Sequence, residues 1–131
     1  MHASLLQAAK DAMAQAYAPY SKYRVGAAIL AENGKVYSGC NVENAAYPVG
    51  NCAEASAIAA MVRDGARQIR EIAVIGSGAE LCTPCGGCRQ RIREFAGAAT
   101  RIHACDSSGV RRTFTCDELL PASFGPEHLS R

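Results

Sequence analysis

A chain of 131 residues is one domain's length, enough to bury about two-thirds of its unfolded surface in a single core. No apolar run approaches the ~20 residues that cross a bilayer, and His2 to Lys10 lack the charged-then-apolar order of a secretory leader; no membrane partner is expected, and the cytoplasm is the expected compartment. The net charge is +2, and 14 bases are scattered among 12 acids, which excludes a nucleic-acid footprint of the usual basic-stripe kind. In the densest run, only Arg89 and Arg93 share a helical face with each other, Arg91 standing apart; the run reads as solvated or inter-subunit surface, with a charged ligand as the lesser alternative. Seven cysteines cannot all pair within one chain, and a reducing compartment keeps them as thiols or metal ligands.

The opening helix is signalled by Ser4 with Gln7 three residues on, a capping box, and by Leu5, Ala9, Ala12, Met13, Ala16 and Tyr17 along one face; Pro19 is expected to close it. Residues 24–31 and 35–40 flank Glu32-Asn33-Gly34, and Asn-Gly between two apolar runs predicts a hairpin. A second helix is expected to start near Cys52 with Asn51 as its cap, to run through Ile58 and Val62, and to end at Gly65. Its first turn carries Cys52 and Glu54. Residues 72–75 read as a buried strand, and 86–95 as a third helix that stops at Gly97, with Cys85 just ahead of it and Cys88 in its first turn. Short strands near 101–105 and 110–114 flank Asp106-Ser107-Ser108-Gly109, and a last short helix follows Thr115, whose capping partner is Glu118, and ends at Pro121. The order α-β-β-α-β-α-β-β-α places the chain in the α/β class, with helices on both faces of a mixed sheet.

Chemistry concentrates in Cys52-Ala53-Glu54 and, downstream, Pro84-Cys85-Gly86-Gly87-Cys88. Zinc binds thiolates tightly, and three protein ligands leave a fourth tetrahedral position for water, which marks a catalytic metal. Glu54 lies two residues beyond Cys52, so it points away from that thiolate and is poorly placed as a ligand, yet within reach of the water. Zinc deaminases combine three cysteines, or one histidine and two, with a non-ligand glutamate that shuttles protons. Both ligand segments fall at predicted helix starts, where the dipole favours thiolates. Three thiolates leave a net charge of −1 on the centre; the helix dipoles and Arg89, next to Cys88, are the expected compensators.

Other readings of the same residues compete. Cys82-Thr83-Pro84-Cys85 is itself a Cys-x-x-Cys, so Cys82, Cys85, Cys88 and Cys52 could close a structural zinc site in an interaction module, leaving Glu54, Asn41 and Glu43 without a role. A redox dithiol would have no use for Cys52. Cys40, Cys105 and Cys116 read as small buried apolar residues, and His2, His103 and His128 have no ligand spacing. Asn41 and Glu43 alternate to one face of an expected strand and would otherwise pass as solvated polar positions.

The chain resembles cytidine deaminases of the small, homotetrameric, three-cysteine type over nearly its whole length. The resemblance rests on residues 19–28 (PYSKYRVGAA), 39–47 (GCNVENAAY), Cys52-Ala53-Glu54, 84–90 (PCGGCRQ) and Leu119-Leu120-Pro121 with Phe124. It implies one catalytic domain over residues 1–131, an α-β-α sandwich around a mixed five-stranded sheet, and one Zn²⁺ per subunit held by Cys52, Cys85 and Cys88, with Glu54 as proton shuttle. It further implies that Asn41 and Glu43 hold the ribose 3′-hydroxyl, that Tyr23 packs against the nucleoside, and that the Ala53 amide meets the base carbonyl. Tyr47 and Phe124 are implied to reach a neighbouring subunit's pocket in a homotetramer with shared active sites. The implied reaction is deamination of cytidine and deoxycytidine in pyrimidine salvage, with a blasticidin-S-type deaminase as the nearer rival; Asn-x-Glu-Asn-Ala favours the nucleoside enzyme. Two positions depart from the family: Ala55 where many members carry Arg, and Tyr23 where Phe is frequent.

Overall fold

The computed structural model describes residues 1–129, so positions 130 and 131 of the expected domain lie outside the described residues. In chain order the elements are α1 (Leu5–Ala14), β1 (Val25–Ala31), β2 (Val36–Cys40), α2 (Ala53–Arg63), β3 (Ile69–Gly76), α3 (Gly86–Phe95), β4 (Ala96–Asp106), β5 (Gly109–Phe114) and α4 (Cys116–Leu119). Single 3₁₀ turns lie at Tyr47–Val49 and Pro126–His128. The strands form one mixed five-stranded sheet in the order β2-β1-β3-β4-β5, with β3 and β4 parallel and the other pairs antiparallel. The parallel pair needs a crossover, and α3 supplies it.

Alternation along the central strands splits the core in two. Ala27, Ile29, Ile72, Val74, Ile102 and Ala104 face the layer of α2, α3 and α4, where Ile58, Met61, Ile92 and Leu119 meet them. Ala28, Leu30, Ala73, Ile75 and Cys105 face α1, which buries Leu5 and Ala9 against them. Each large side chain so buried contributes about 1.5–3 kcal/mol. The site depends on how closely α2 lies on the edge strand β2. A Cβ on Gly39 would stand 2.5 Å from the Ala57 nitrogen and 2.8 Å from the Ala53 carbonyl oxygen, so only glycine admits the helix backbone at that distance.

Several local expectations are corrected. Ser4 precedes α1 but does not cap it: its backbone is already helical, its Oγ lies 2.9 Å from His2 Nδ1, and Gln7 donates instead to Asp11 at 2.8 Å. The helix ends at Ala14, five residues before Pro19, because the chain leaves the axis to pair: the Tyr17 N–H donates to Asn41 O at 3.0 Å and Glu43 N–H to Tyr17 O at 2.8 Å. That pairing also ends β2 at Cys40, so Asn41 to Glu43 form an extended link, with Val42 bridged to Tyr17 and Asn51, rather than the face of a strand. Cys52, not Asn51, occupies the cap of α2, and the Asn51 amide donates to Ser56 Oγ at 3.1 Å. Strand β4 starts at Ala96, earlier than expected, because α3 runs straight into it and Ala96 pairs with Ile69. The box at α4 forms as read: Thr115 N–H donates to Glu118 Oε1 and Glu118 N–H to Thr115 Oγ1, at 2.9 and 3.2 Å.

Candidate metal centre and active site

The two cysteine segments precede and follow β3 in the chain, each at the start of a helix. Cys52 is the cap of α2 and Cys85 the cap of α3, both in extended backbone conformation, and Cys88 is the third residue of α3. Their three sulfurs lie within 4.8 Å of one another. Tetrahedral zinc with Zn–S bonds of ~2.3 Å sets sulfur separations near ~3.8 Å, so this donor set fits zinc after a small contraction. Cys88 is buried, Cys52 half-buried and Cys85 exposed, so the cluster opens on one side only. Among the described residues this is the group of cysteine, histidine and carboxylate donors close enough to share an ion.

Burial pushes the Cys52 and Cys88 thiols up from their ordinary value, whereas Cys85 stands low because hydrogen bonds from Cys88 and Cys52 outweigh its own burial. Metal ligation requires all three as thiolates, so binding releases protons. Cys82 is not in the cluster; its sulfur is hydrogen-bonded to the Tyr23 hydroxyl, and its own S–H reaches Thr83 O at 3.9 Å. The closed four-cysteine site is therefore not formed.

Beside the sulfurs lies a cavity of about 360 Å³, whose walls include Tyr23, Asn41, Ala53, Glu54, Leu81 and Cys82, with Cys52 and Cys85 at its floor. Glu54, the second residue of α2, is 4% exposed, and burial holds its carboxyl above the usual carboxylate range. A carboxyl poised this way can both take up and return a proton. It is hydrogen-bonded to the Cys88 side chain, near the cluster without joining it.

The remaining predicted residues divide between this cavity and other surfaces. The Asn41 amide spans two strands' ends, accepting from Val25 N–H and donating to Tyr23 O, each at 2.8 Å. It thereby fixes the backbone that presents Tyr23, whose hydroxyl is pushed up to about 12 by its bond to Cys82, by burial and by that thiol's charge. Ala53 is fully buried at the first turn of α2, where N–H groups have no intrahelical partner. Glu43 does not line the thiol cavity. It lines an adjoining hollow of about 400 Å³ with Tyr20, Asn44 and Tyr47, and its carboxylate accepts from Tyr20 N–H at 2.9 Å, Ser21 N–H at 3.1 Å and the Ser21 hydroxyl. The Ser21 hydroxyl contributes most to holding that carboxyl below its ordinary value. Tyr47 is 78% exposed and stands edge-on to Tyr20. Phe124 is 56% exposed, stacks on His128 at 4.9 Å, and lies over α3 away from its own chain's thiol cavity.

Arg89 is not the compensator of the thiolates. Its guanidinium donates to Pro84 O, Leu119 O and Thr83 Oγ1, at 2.8, 2.9 and 3.3 Å, and so pins the cysteine loop to α3 and α4. Arg91 is the arginine that approaches the cluster, its Nη1 lying 3.5 Å from Cys88 Sγ. Sequence reasoning passed over Arg91, although its spacing of three from Cys88 puts both on one helical face.

Residues 1–104 match the model of a protein family described as the cytidine and deoxycytidylate deaminase zinc-binding region. The chain belongs to this deaminase family. Among curated deaminases, a cytidine deaminase of Sporosarcina psychrophila is 44% identical over 126 residues, which is 96% of this chain and 93% of that one. Among solved deaminase structures, the cytidine deaminase from Burkholderia pseudomallei matches with a TM-score of 0.87 at 40% identity, covering 95% of this chain and 99% of that one. The cytidine deaminase from Mycobacterium tuberculosis matches with a TM-score of 0.80 at 36% identity, covering 92% and 94%. The α/β deaminase fold expected from the sequence is thus the fold observed.

Proposed function

We propose that this chain is a zinc-dependent hydrolase that converts cytidine and deoxycytidine to uridine and deoxyuridine with release of ammonia, in pyrimidine salvage. The observation that carries this reading is the meeting of three sulfurs within 4.8 Å with a buried carboxyl, Glu54, at one end of a nucleoside-sized cavity. Zinc held by Cys52, Cys85 and Cys88 supplies the Lewis acidity that turns water into a nucleophile near neutral pH. Glu54 would take one proton from that water and give it to the ring nitrogen of the base, then take the second from the hydroxyl added to the base and give it to the departing amine. The amide of Ala53 donates to the base carbonyl, and the ring of Tyr23 lies against the nucleoside.

The ribose lies between the thiol cavity lined by Asn41 and the hollow lined by Glu43, and offers its 3′-hydroxyl to both side chains. A carboxylate offers about four acceptor sites, and Glu43 already accepts three hydrogen bonds, which leaves room for one further donor. A 3′-phosphodiester has no such donor and brings negative charge, at a cost of about 2 kcal/mol; free nucleosides are therefore preferred to internal nucleotides. The subunits assemble as a cytoplasmic homotetramer in which Tyr47 and Phe124 complete a neighbour's pocket. What supports the assembly is the exposure of Tyr17, Tyr20, Val42, Tyr47, Val49 and Phe124, a density of apolar surface that monomers rarely leave uncovered. No helix among the described residues is long and apolar enough to cross a membrane.

The test is uridine formation from cytidine by zinc-replete protein, with Glu54→Ala as control and an oligonucleotide and blasticidin S as competing substrates. Turnover of cytidine that falls about 10²–10⁴-fold or more in the control, with zinc retained, is the expected result. Turnover of blasticidin S alone would move the substrate to the rival class.

A further inference from the structure

Three thiolates and an ionised Glu54 would set four negative charges against the two positive charges of a divalent metal. A centre of that kind needs a cation nearby, because an uncompensated anionic cluster in a half-buried site is costly. Arg91 is the residue whose position meets that need. Its Nη1 lies 3.5 Å from Cys88 Sγ, and Cys88, Cys52 and Cys85 all act on it electrostatically. The approach is made over Gly87, where a Cβ would stand 3.3 Å from Nη1 and crowd it. Arg89, the cation nearest in sequence, directs Nε, Nη1 and Nη2 to Pro84, Leu119 and Thr83 instead.

We infer that Arg91 is the positioning residue that tunes this metal centre: its guanidinium hydrogen-bonds the Cys88 thiolate, balances the charge of the three-sulfur cluster, and weakens sulfur donation so that the metal remains a strong Lewis acid. The inference rests on the zinc-ligand reading given above. Arg91 touches no substrate in this role; it acts through Cys88. Removing Arg91 therefore weakens metal binding without unfolding the chain, since the side chain is exposed.

The test compares wild type, Arg91→Gln, Arg91→Lys and Arg89→Gln. Zinc is titrated against a chromophoric chelator, and the Co²⁺-substituted proteins are read by their sulfur-to-metal charge-transfer absorption. Arg91→Gln is expected to hold zinc about tenfold less tightly and to move the charge-transfer band to longer wavelength, because a thiolate without its hydrogen bond is more easily oxidised. Arg91→Lys, which keeps the charge, should recover most of the affinity. Arg89→Gln should lower the melting temperature and leave the band in place. An Arg91→Gln protein with wild-type affinity and an unmoved band overturns the inference. A wild-type protein that binds no stoichiometric zinc overturns instead the ligand reading beneath it.

Discussion

Buried polar side chains in this chain fall into two kinds, those that settle structure and those poised for chemistry, and the difference is in their partners. His103 is 6% exposed, yet both ring nitrogens are satisfied, by Glu71 and Thr113 at 2.8 Å each. Glu71 also accepts from His2 N–H at 3.2 Å, which ties the first residues to β3. Burial raises the Glu71 carboxyl, but the bond from His103 and the nearby chain terminus outweigh it and hold the group below its ordinary value. A depressed folded value means stability that is present at neutral pH and lost as pH falls through that value. Glu71→Gln should therefore melt lower than wild type at pH 7, and the gap should close on acidification below the usual carboxylate range; a constant gap would show that the charge is irrelevant. Glu54 is the opposite case, buried and raised, with its hydrogen-bond partner being a metal-ligand thiol rather than a structural one. That contrast could not be read from sequence. His103 and Glu71 are 32 residues apart, and only the register of β3 with β4 brings them together.

At the scale of elements, the site depends on two helix N-termini held in fixed relation to one sheet. Helix α2 reaches its position because Gly39 lets its backbone approach β2. Gly39→Ala should push the helix away at a cost of about 1–3 kcal/mol, lowering the melting temperature by about 3–10 °C and loosening zinc through displacement of Cys52; thermal melts and chelator competition read both effects. Zinc held by Cys52, Cys85 and Cys88 would join the starts of α2 and α3, so stripping it should lower the melting temperature by about 5 °C or more, and re-addition should restore it. The helices at 53–63 and 86–95 were legible from their apolar spacing and, for the first, from Gly65 just beyond its end, whereas Gly97, expected to stop the second, lies inside β4; the Thr115 box was legible because both of its partners are local. Ser4 misled because His2 competed for its hydroxyl, and the end of α1 because a distant strand extension captured Tyr17. Local signals held where local bonds decided, and failed where a long-range backbone pairing offered more.

For the whole molecule, the thiol cavity on one chain is open beside Tyr23 and Asn41, while Phe124 projects from the far side of α3 with 56% of its surface exposed. If a neighbour's Phe124 closes the pocket, Phe124→Ala should raise KM for cytidine about tenfold or more, the loss of about 1.5 kcal/mol of ring burial, with little change in the melting temperature of the subunit. An unchanged KM would remove Phe124 from the pocket.

The sequence by itself determined the chemistry of this protein and most of its elements. Cys52-Ala53-Glu54 and Pro84 to Cys88 offer the thiols and the carboxyl that a catalytic zinc centre uses, because residue type and spacing within each segment are local properties, and apolar period and turn residues outlined a mixed sheet between helices. Tertiary structure alone decided that Cys82 turns to Tyr23 instead of the metal, that Glu43 sits in the adjoining hollow rather than with Asn41, and that Arg91, not Arg89, faces the thiolates. The physical reason is common to the three. Each choice depends on which way a side chain points once its element is packed, and packing is set by backbone pairings and close approaches between residues far apart in the chain.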